Sequence, residues 1–332
     1  MRKLQKAYSF DDVLVKPIPS VISSRDDVDI SIELPNKTTL SFPILASPMV
    51  GVVDGCFAKK LSDMGGLAIF HRFYKNNKER YEDIASHVNS KDDMFGIALR
   101  IGDNFLHDAI RLSPQILLID TANGYTKKLL AYCKAVKTEI HMKNKGKEIL
   151  LMAGNVATGD GAINLFECGC DLVRIGIGGG SPCSTSNMTG VGIPYISALM
   201  DCYDALETYK KEVMLVVDGG LRHSGDFVKA VVAGADLGIA GKLYAECYES
   251  PNEGVLYGMA SRTHMENSKI KIKSVEGFDT KIDKKHSLEQ FVREFGYGIK
   301  SAGTYLNANS LESIWLNGEF VEVSDHAIKK NI

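Results

Sequence analysis

The sequence of 332 residues predicts a (β/α)8 barrel of the TIM-barrel class, and two observations lead to this prediction. Eight short apolar runs rich in β-branched residues recur along the chain, and such runs are typical of parallel strands buried on both faces. Segments with helical spacing separate the runs, as expected for strand–helix units that close into a barrel. A doubly wound sheet is the alternative, but that fold usually has fewer strands and a glycine fingerprint after the first one.

Each apolar run ends in small or polar residues, where a strand would leave the barrel. The predicted strands are, in order, Pro43–Met49, Gly66–His71, Met94–Ile101, Ile116–Gly124, Glu148–Val156, Leu172–Gly180, Val213–Gly220 and Leu237–Leu243. The predicted helices are Asp54–Met64, Asn104–Leu112, Tyr125–Lys137, Gly159–Cys168, Ile193–Tyr209 and Ser224–Ala233. The tail from Leu288 to Asn307 returns to helical spacing. We expect a single barrel domain over residues 1–332.

The composition is that of an ordinary globular protein, with 45% apolar residues, 24% charged residues and a net charge of −2. There is no basic excess for a nucleic acid backbone, so we expect no nucleic acid partner. No apolar run approaches the length of a membrane span, so we expect no membrane association. Seven cysteines without a Cys-x-x-Cys pair fit free thiols in a reducing compartment. We therefore expect a cytoplasmic protein.

The segment Arg174–Pro194, RIGIGGGSPCSTSNMTGVGIP, is the first candidate for chemistry. It follows an apolar run with clustered glycines, which let the backbone approach a ligand closely. Backbone N–H groups after a strand can bind an anion, and a cysteine beside them is a candidate nucleophile. Cys183 is that cysteine, although a single cysteine is more often a small buried hydrophobe. A dinucleotide fingerprint is excluded, because the sixth position counted from Gly176 is Ser181.

In a barrel, the chemistry lies in the loops after the carboxyl ends of the strands. The residues at the carboxyl ends of the predicted strands would therefore converge on one face. They are Asp120, Asn123, Asn155, the loop from Gly176 to Thr185, Asp218-Gly219-Gly220 and Gly241-Lys242.

The segment Gly254–Phe278 after the eighth strand breaks the strand–helix rhythm. It is polar and longer than most connections, so residues 254–278 are a candidate mobile flap over the barrel mouth. The alternative interpretation is that this segment is an ordinary surface loop.

Several segments resemble the IMP dehydrogenase and GMP reductase family in the order expected for it. They are YSFDDVLVKP, DTANGY, AGNVATG, GIGGGSPCST with TGVGIP, VVDGGLRHSGDFVKAVVAGAD, LYGMAS and GIKSAGTYLNA. The resemblance runs from Tyr8 to Leu311 and implies a (β/α)8 barrel, in agreement with the strand count.

Two absences make the chain most similar to GMP reductase within this family. Residues 71–94, after the second strand, leave no room for the regulatory domains that IMP dehydrogenases usually carry there. The stretch Ser261–Val275 contains Arg262 but lacks the Arg-Tyr pair of the dehydrogenase flap. DTANGY and the Lys273-x-x-Glu276-Gly277 pattern also resemble the reductases.

The resemblance implies reductive deamination of GMP to IMP and ammonia with NADPH, through a thioimidate on Cys183. The implied catalytic residues are Cys183, Thr185 and Glu276. The implied substrate-binding residues are Ser181, Asp218, Gly219, Gly220, Gly241, Lys242, Tyr257, Gly258, Met259 and Ala260. The implied cofactor-binding residues are Asp120, Asn123, Gly124, Asn155 and Lys273. A monovalent cation (K⁺) would bind backbone carbonyls of Gly178, Gly180 and Cys183, and a homotetramer is implied.

Some positions depart from the family pattern. Ser186 stands where relatives carry arginine, and Lys242 stands where they carry Gly, Ser or Asn, so we expect Lys242 to add charge to phosphate binding. Two further hypotheses stay open. One is an IMP dehydrogenase without regulatory domains, which converts IMP to XMP with NAD. The other is a catalytically weak purine-nucleotide-binding protein.

Overall fold

In the computed structural model, eight parallel strands close into a barrel, with helices between successive strands. The structure describes residues 4–88, 90, 92–143, 148–178, 185–209, 212–257 and 279–324. The predicted (β/α)8 class is confirmed.

All eight barrel strands lie within the predicted runs. They are β4 (Ile44–Ala46), β5 (Ala68–Phe70), β6 (Phe95–Leu99), β7 (Ile116–Asp120), β8 (Leu150–Val156), β9 (Leu172–Ile175), β10 (Met214–Asp218) and β11 (Leu237–Ala240). Consecutive strands pair in parallel, and β11 closes the barrel by pairing with β4. Each strand is shorter than its predicted run, because the small and polar residues at the run ends leave the ladder and form the loops.

Helices lie between the barrel strands, most of them at the predicted places. They are α1 (Gly55–Asp63), α2 (Asn77–His87), α3 (Leu106–Arg111), α4 (Lys127–Lys143), α5 (Gly159–Glu167), α6 (Thr185–Thr189), α7 (Tyr195–Leu206), α8 (Ser224–Val232) and α9 (Lys242–Ala245), followed by α10 (Leu288–Tyr305) and α11 (Leu311–Asn317). Short 3-10 turns lie at Phe10–Asp12, Arg25–Asp27 and Glu207–Tyr209. Of these, α2, α6, α9 and α11 were not predicted.

Three antiparallel pairs lie outside the barrel. β1 (Val13–Val15) pairs with β14 (Phe320–Glu322), β2 (Ile32–Glu33) with β3 (Thr39–Leu40), and β12 (Val255–Tyr257) with β13 (Asp279–Lys281). The β2–β3 hairpin closes the amino-terminal end of the barrel. Leu34 and Leu40 pack with the inner residues of the barrel strands, and the Asn36 amide donates to the Glu148 carbonyl just before β8.

Two apolar layers share the barrel strands because side chains alternate between the faces of a strand. The inner layer fills the barrel and includes Leu45, Ile69, Leu118, Met152 and Ile239. The outer layer packs with the helices and contains the alternate strand residues. The barrel is therefore a packed core, and a ligand can be held only at its ends.

The connection from β5 to β6 consists of residues 71–94 and contains α2. Described residues on both sides of Asn89 and Lys91 continue directly into β6, so the connection holds one helix and no inserted domain.

The predicted flap, residues 254–278, begins one residue before β12. Residues 258–278 lie outside the described part of the chain, and the residues on either side of them, Tyr257 and Asp279, stand opposite each other in the β12–β13 register. Within the residues that the structure describes, no helix combines the length and apolarity that a bilayer span requires.

Candidate active site at the carboxyl ends of the strands

Charged side chains replace apolar ones where the inner face of the barrel reaches the carboxyl ends of the strands. Asp120, Arg174 and Asp218 each lie two residues beyond a member of the inner apolar layer on the same strand. Since the side-chain period of a strand is two, all three point to the barrel axis. The sequence thus builds a polar mouth directly above the apolar filling.

Arg174 lies at the centre of this mouth, with only 7% of its side chain exposed. Its Nη2 atom donates to Asp120 Oδ1 at 2.7 Å, and its Nε atom donates to Asn155 Oδ1. The same Nε atom lies 3.4 Å from Asp218 Oδ2. One guanidinium therefore joins residues at the ends of β7, β8 and β10, as its planar array of donors permits.

The buried charges in this cluster compensate each other. Burial would raise the pKa of Asp120, but the guanidinium groups of Arg174 and Arg72 hold it below its usual range. Burial would lower the pKa of Arg174, but Asp218 and Asp120 raise it. Arg72 lies 3.4 Å from Asp120 Oδ2 through its Nε atom. Asp120 and Arg174 therefore form a charged pair at neutral pH. Arg72 contacts the Asp120 end of this pair, and Asp218 contacts the Arg174 end.

The Asn155 side chain connects this cluster to the loop after β9. Its Nδ2 atom donates to the Gly176 carbonyl at 2.6 Å and to Asp218 Oδ2 at 2.8 Å. Because Asn155 is nearly fully buried, these bonds hold the start of the predicted nucleophile loop against the end of β10.

Asn123 and Gly124 lie at the rim of the mouth. The Gly124 amide donates to the Asn155 carbonyl at 2.8 Å, and a Cβ atom at Gly124 would lie 2.8 Å from the Gly154 backbone. Glycine is therefore required for this close approach. Asn123 is exposed, and its Oδ1 atom accepts from the Tyr125 amide at 2.9 Å.

A cavity of about 550 Å³ opens beside the cluster, between the ends of β9, β10 and β11. Five of the predicted ligand-binding residues line it together: Gly178, Gly219, Gly220, Gly241 and Lys242. The amino-terminal segment supplies Phe10 and Asp11 to the opposite wall. The convergence of these loops is the geometry expected for a ligand site of this fold.

Tyr195 braces two of the loops that line the cavity. Its hydroxyl donates to the Asp218 carbonyl at 2.9 Å, and Phe10 stacks on its ring at 5.3 Å between centroids. Gly176 and Gly220 approach opposite edges of the ring so closely that a Cβ atom at either would lie 2.6 or 2.5 Å from it, respectively. The ring thus fixes the spacing between the loops after β9 and β10.

Two cations lie at the cavity wall, and they differ in their partners. Arg222 donates to Asp11 Oδ2 at 3.0 Å and to Asp226 Oδ2 at 3.3 Å, so carboxylates balance its charge. Lys242 is exposed, and none of the described carboxylates lies within ion-pair distance of it. Lys242 is therefore the cation that remains available to an anionic ligand in this part of the structure.

A comparison with known families identifies the chain. The family model described as "IMP dehydrogenase / GMP reductase domain" matches residues 7–331. The chain belongs to this family. The family resemblance inferred from the sequence is thereby confirmed.

Relatives from both branches of the IMP dehydrogenase / GMP reductase family match nearly the whole chain. A GMP reductase of Onchocerca volvulus is 31% identical over 95% of this chain and 90% of its own length. A GMP reductase of Buchnera aphidicola is 30% identical over 95% of the chain and 94% of its own length. An inosine-5'-monophosphate dehydrogenase of Borreliella burgdorferi is 27% identical over 98% of the chain and 96% of its own length. The reductases have the higher identity.

Two of the three predicted catalytic residues, Cys183 and Glu276, lie outside the described part of the chain. The predicted ligand-binding residues that also lie outside it are Gly180, Ser181, Gly258, Met259, Ala260 and Lys273. Thr185 is the first residue of α6, and Tyr257 is the partly exposed last residue of β12. The roles proposed from the family resemblance therefore remain predictions for these residues.

Of the predicted cation ligands, only Gly178 lies in a described segment. Its carbonyl accepts a hydrogen bond from Ser186 Oγ at 2.9 Å, which leaves one lone pair for another partner. The described residues contain no His, Cys, Asp and Glu cluster suited to a metal ion.

Sequence reasoning missed Arg174, Arg72 and Tyr195. Arg174 had a usable signal, because a charged residue inside the apolar run Leu172–Ile175 must find buried partners. Tyr195 had none, since an aromatic residue at the start of a helix is more often an ordinary part of the core.

Proposed function

We propose that this protein is a GMP reductase, which converts GMP to IMP and ammonia with NADPH. One observation carries the proposal: the cavity lined by Gly178, Gly219, Gly220, Gly241 and Lys242 lies directly beside the charged cluster of Arg174. Such a site combines a place for a phosphate with polar groups for a ribose and a base. Membership of the family supports this assignment.

The nucleotide would lie across the cavity. Backbone N–H groups of Gly220 and Gly241, with Ser181 and the charge of Lys242, would bind the 5′-phosphate, and Tyr257 would add its hydroxyl. Asp218 Oδ2 already accepts a hydrogen bond from Asn155 Nδ2, so Oδ1 is the oxygen that would accept from a ribose hydroxyl. Met259 and Ala260 would border the base.

Cys183 would act as the nucleophile. Its thiolate attacks purine C2, and the exocyclic amine then leaves as ammonia with a proton delivered by Thr185 and Glu276, which gives a thioimidate. Once C2 has received a hydride, the tetrahedral carbon expels the Cys183 thiolate, the C2=N3 double bond of the purine is restored, and IMP results. The nearby fixed bonds of Asn155 and Tyr195 would hold the nucleophile loop at a constant distance from Asp218.

The residues at the rim fit a nicotinamide cofactor, whose chemistry here is hydride donation to purine C2. Asn123 presents an exposed amide, and Arg72, 27% exposed, presents a guanidinium suited to phosphate oxygens. Gly124 allows close backbone approach. Asp120 and Asn155 would position this rim through the Arg174 cluster, since their side-chain atoms already have internal partners. Lys273 would add charge. K⁺ at the carbonyls of Gly178, Gly180 and Cys183 and a homotetramer complete the proposal.

IMP dehydrogenase activity is the second candidate. The GLRHSGD segment that places Arg222 at the cavity resembles the dehydrogenase version of this loop. The dehydrogenase relative aligns over 399 positions, more than the 332 residues of this chain, so it carries segments without a counterpart here. The absence of an insertion between β5 and β6 favours the reductase.

The decisive measurement is nicotinamide absorbance in the near ultraviolet with GMP and NADPH, and in parallel with IMP and NAD. We expect loss of absorbance in the first reaction and its abolition in Cys183→Ala. A gain of absorbance in the second reaction alone would instead establish the dehydrogenase. No change in either reaction, with nucleotide binding retained, would identify a binding protein and refute both enzymatic proposals.

A further inference from the structure

A second cysteine lies in a chemically organised setting away from the barrel mouth. Cys56 is the exposed one among the free cysteines that the structure describes. It is the second residue of α1, and its Sγ atom lies 3.4 Å from His87 Nε2, at the carboxyl end of α2. A thiol in contact with an imidazole is a nucleophile beside a base.

The hydrogen bonds of His87 fix which ring nitrogen faces the thiol. His87 Nδ1 lies 2.8 Å from the backbone carbonyl of Asp83, which can only accept, so Nδ1 carries the proton. The Ser86 hydroxyl donates to the same carbonyl at 3.1 Å. In the neutral ring, Nε2 therefore holds a free lone pair toward Cys56, and the thiol donates to it.

A carboxylate orients the base and can balance its charge. Asp83 Oδ1 lies 3.4 Å from His87 Nδ1, and Asp83 Oδ2 accepts from the Tyr74 hydroxyl at 2.7 Å. When His87 gains a proton, Asp83 stabilises the resulting cation. Cys56, His87 and Asp83 thus have the relation of nucleophile, base and orienting acid.

The packing of α1 against α2 maintains this arrangement. A Cβ atom at Gly55 would lie 2.1 Å from His87 Nδ1 and 2.8 Å from Asp83 Oδ1, so only glycine lets the ring reach the first turn of α1.

The other described thiols lack these features. Cys133, Cys168, Cys170, Cys202 and Cys247 are buried. Burial raises the pKa of Cys247 to about 12 and also raises that of Cys202. These two thiols are therefore protonated at neutral pH, and all five are shielded from solvent.

We propose that Cys56, His87 and Asp83 form a thiol-modification site for low-molecular-weight disulfides. The Cys56 sulfur attacks one sulfur of the disulfide, and its proton passes to His87 Nε2. A mixed disulfide forms at Cys56, the original S–S bond breaks, and the leaving thiolate takes the proton back from His87. Thiol–disulfide exchange of this kind needs no further oxidant.

The test uses the full-length chain carrying Cys183→Ala, so that the proposed nucleophile of the barrel mouth does not react. The reduced protein is incubated with hydroxyethyl disulfide at neutral pH, and adducts are located and timed by peptide mass spectrometry. We expect the mixed disulfide to form first at Cys56. His87→Gln retains a hydrogen-bond acceptor but cannot take the proton, and we expect it to slow the reaction about tenfold.

His87→Ala should slow the exchange to the same extent, whereas His107→Gln, on an exposed histidine of α3, should leave the rate unchanged. Thermal unfolding of each variant shows whether the fold is retained. An unchanged rate in a folded His87→Gln variant would mean that exposure alone governs Cys56 and would overturn the proposal. First reaction at one of the buried cysteines would overturn it as well.

Discussion

Lys242 is the clearest feature of this chain at the scale of single residues. It lies at the cavity wall without a described carboxylate partner, whereas the neighbouring Arg222 is balanced by Asp11 and Asp226. A lysine in this state adds one positive charge to a site that otherwise offers backbone N–H groups.

We predict that Lys242→Ala weakens GMP binding by roughly 10- to 100-fold, because a charge-assisted hydrogen bond to phosphate contributes roughly 1.5–3 kcal/mol. Guanosine, which lacks the phosphate, should bind the parent and the variant equally. Calorimetric titration measures both ligands. Lys78→Ala, at an exposed lysine of α2, is the matched control. Equal GMP affinity in Lys242→Ala and the parent would remove Lys242 from the phosphate site.

Single residues also show where sequence reasoning reached its limit at the site. Asp120, Asn155, Asp218 and Lys242 could be found because each lies at or just after the carboxyl end of an apolar run, and the end of such a run is visible in the sequence. The partner of the two carboxylates, Arg174, belongs to a neighbouring strand, and nothing local in the sequence states which buried acids it meets.

At the scale of elements, the loops after β9 and β10 are spaced by the ring of Tyr195. Gly220 has a positive φ of 74°, and a Cβ atom there would lie 2.5 Å from this ring, whereas a Cβ atom at Gly225, in the first turn of α8, would meet no other atom within 4 Å. Comparing alanine substitutions at the two glycines therefore distinguishes the effect of a clash with the Tyr195 ring from the general effect of replacing a glycine.

We predict that Gly220→Ala lowers the free energy of unfolding by about 1–3 kcal/mol, since the new methyl group meets Tyr195 and the backbone is strained. Gly225→Ala should be neutral or stabilise the protein by up to about 1 kcal/mol. Chemical denaturation of both variants measures the difference. Equal stabilities would contradict the bracing role of the ring.

Elements also differed in how far the sequence predicted them. The eight barrel strands were found because their apolar runs are continuous. The helix α2 was missed because NKERYEDIASH is mostly polar, with only Arg80 and Ile84 buried. The β1–β14 pair was missed because its two strands lie at opposite ends of the chain, and neither has a local partner.

At the scale of the whole molecule, Arg174, on β9, connects barrel strands that lie on both sides of its own. Its partners lie on β7, β8 and β10, so one buried guanidinium links the carboxyl ends of three barrel strands. Removing one member of a buried charged cluster leaves the others uncompensated.

We predict that Arg174→Met destabilises the protein by roughly 3–5 kcal/mol. Arg174→Lys, which keeps the charge but loses the fork of donors, should have an intermediate effect. In contrast, Lys16→Met, which removes an exposed pair with Glu319, should cost at most about 1 kcal/mol. Denaturant midpoints of the three variants provide the test. A midpoint for Arg174→Met equal to that of Lys16→Met would show that the cluster has no net role.

The pairing of Tyr257 with Asp279 has a consequence for how proteins of this type can diversify. The β12–β13 ladder holds the two ends of the intervening segment next to each other. The entropic cost of closing a loop rises only slowly with its length, by about 0.6 kcal/mol for each doubling of the number of residues. Segments of different length and sequence can therefore be exchanged at this junction, and substrate preference can change while the scaffold stays constant.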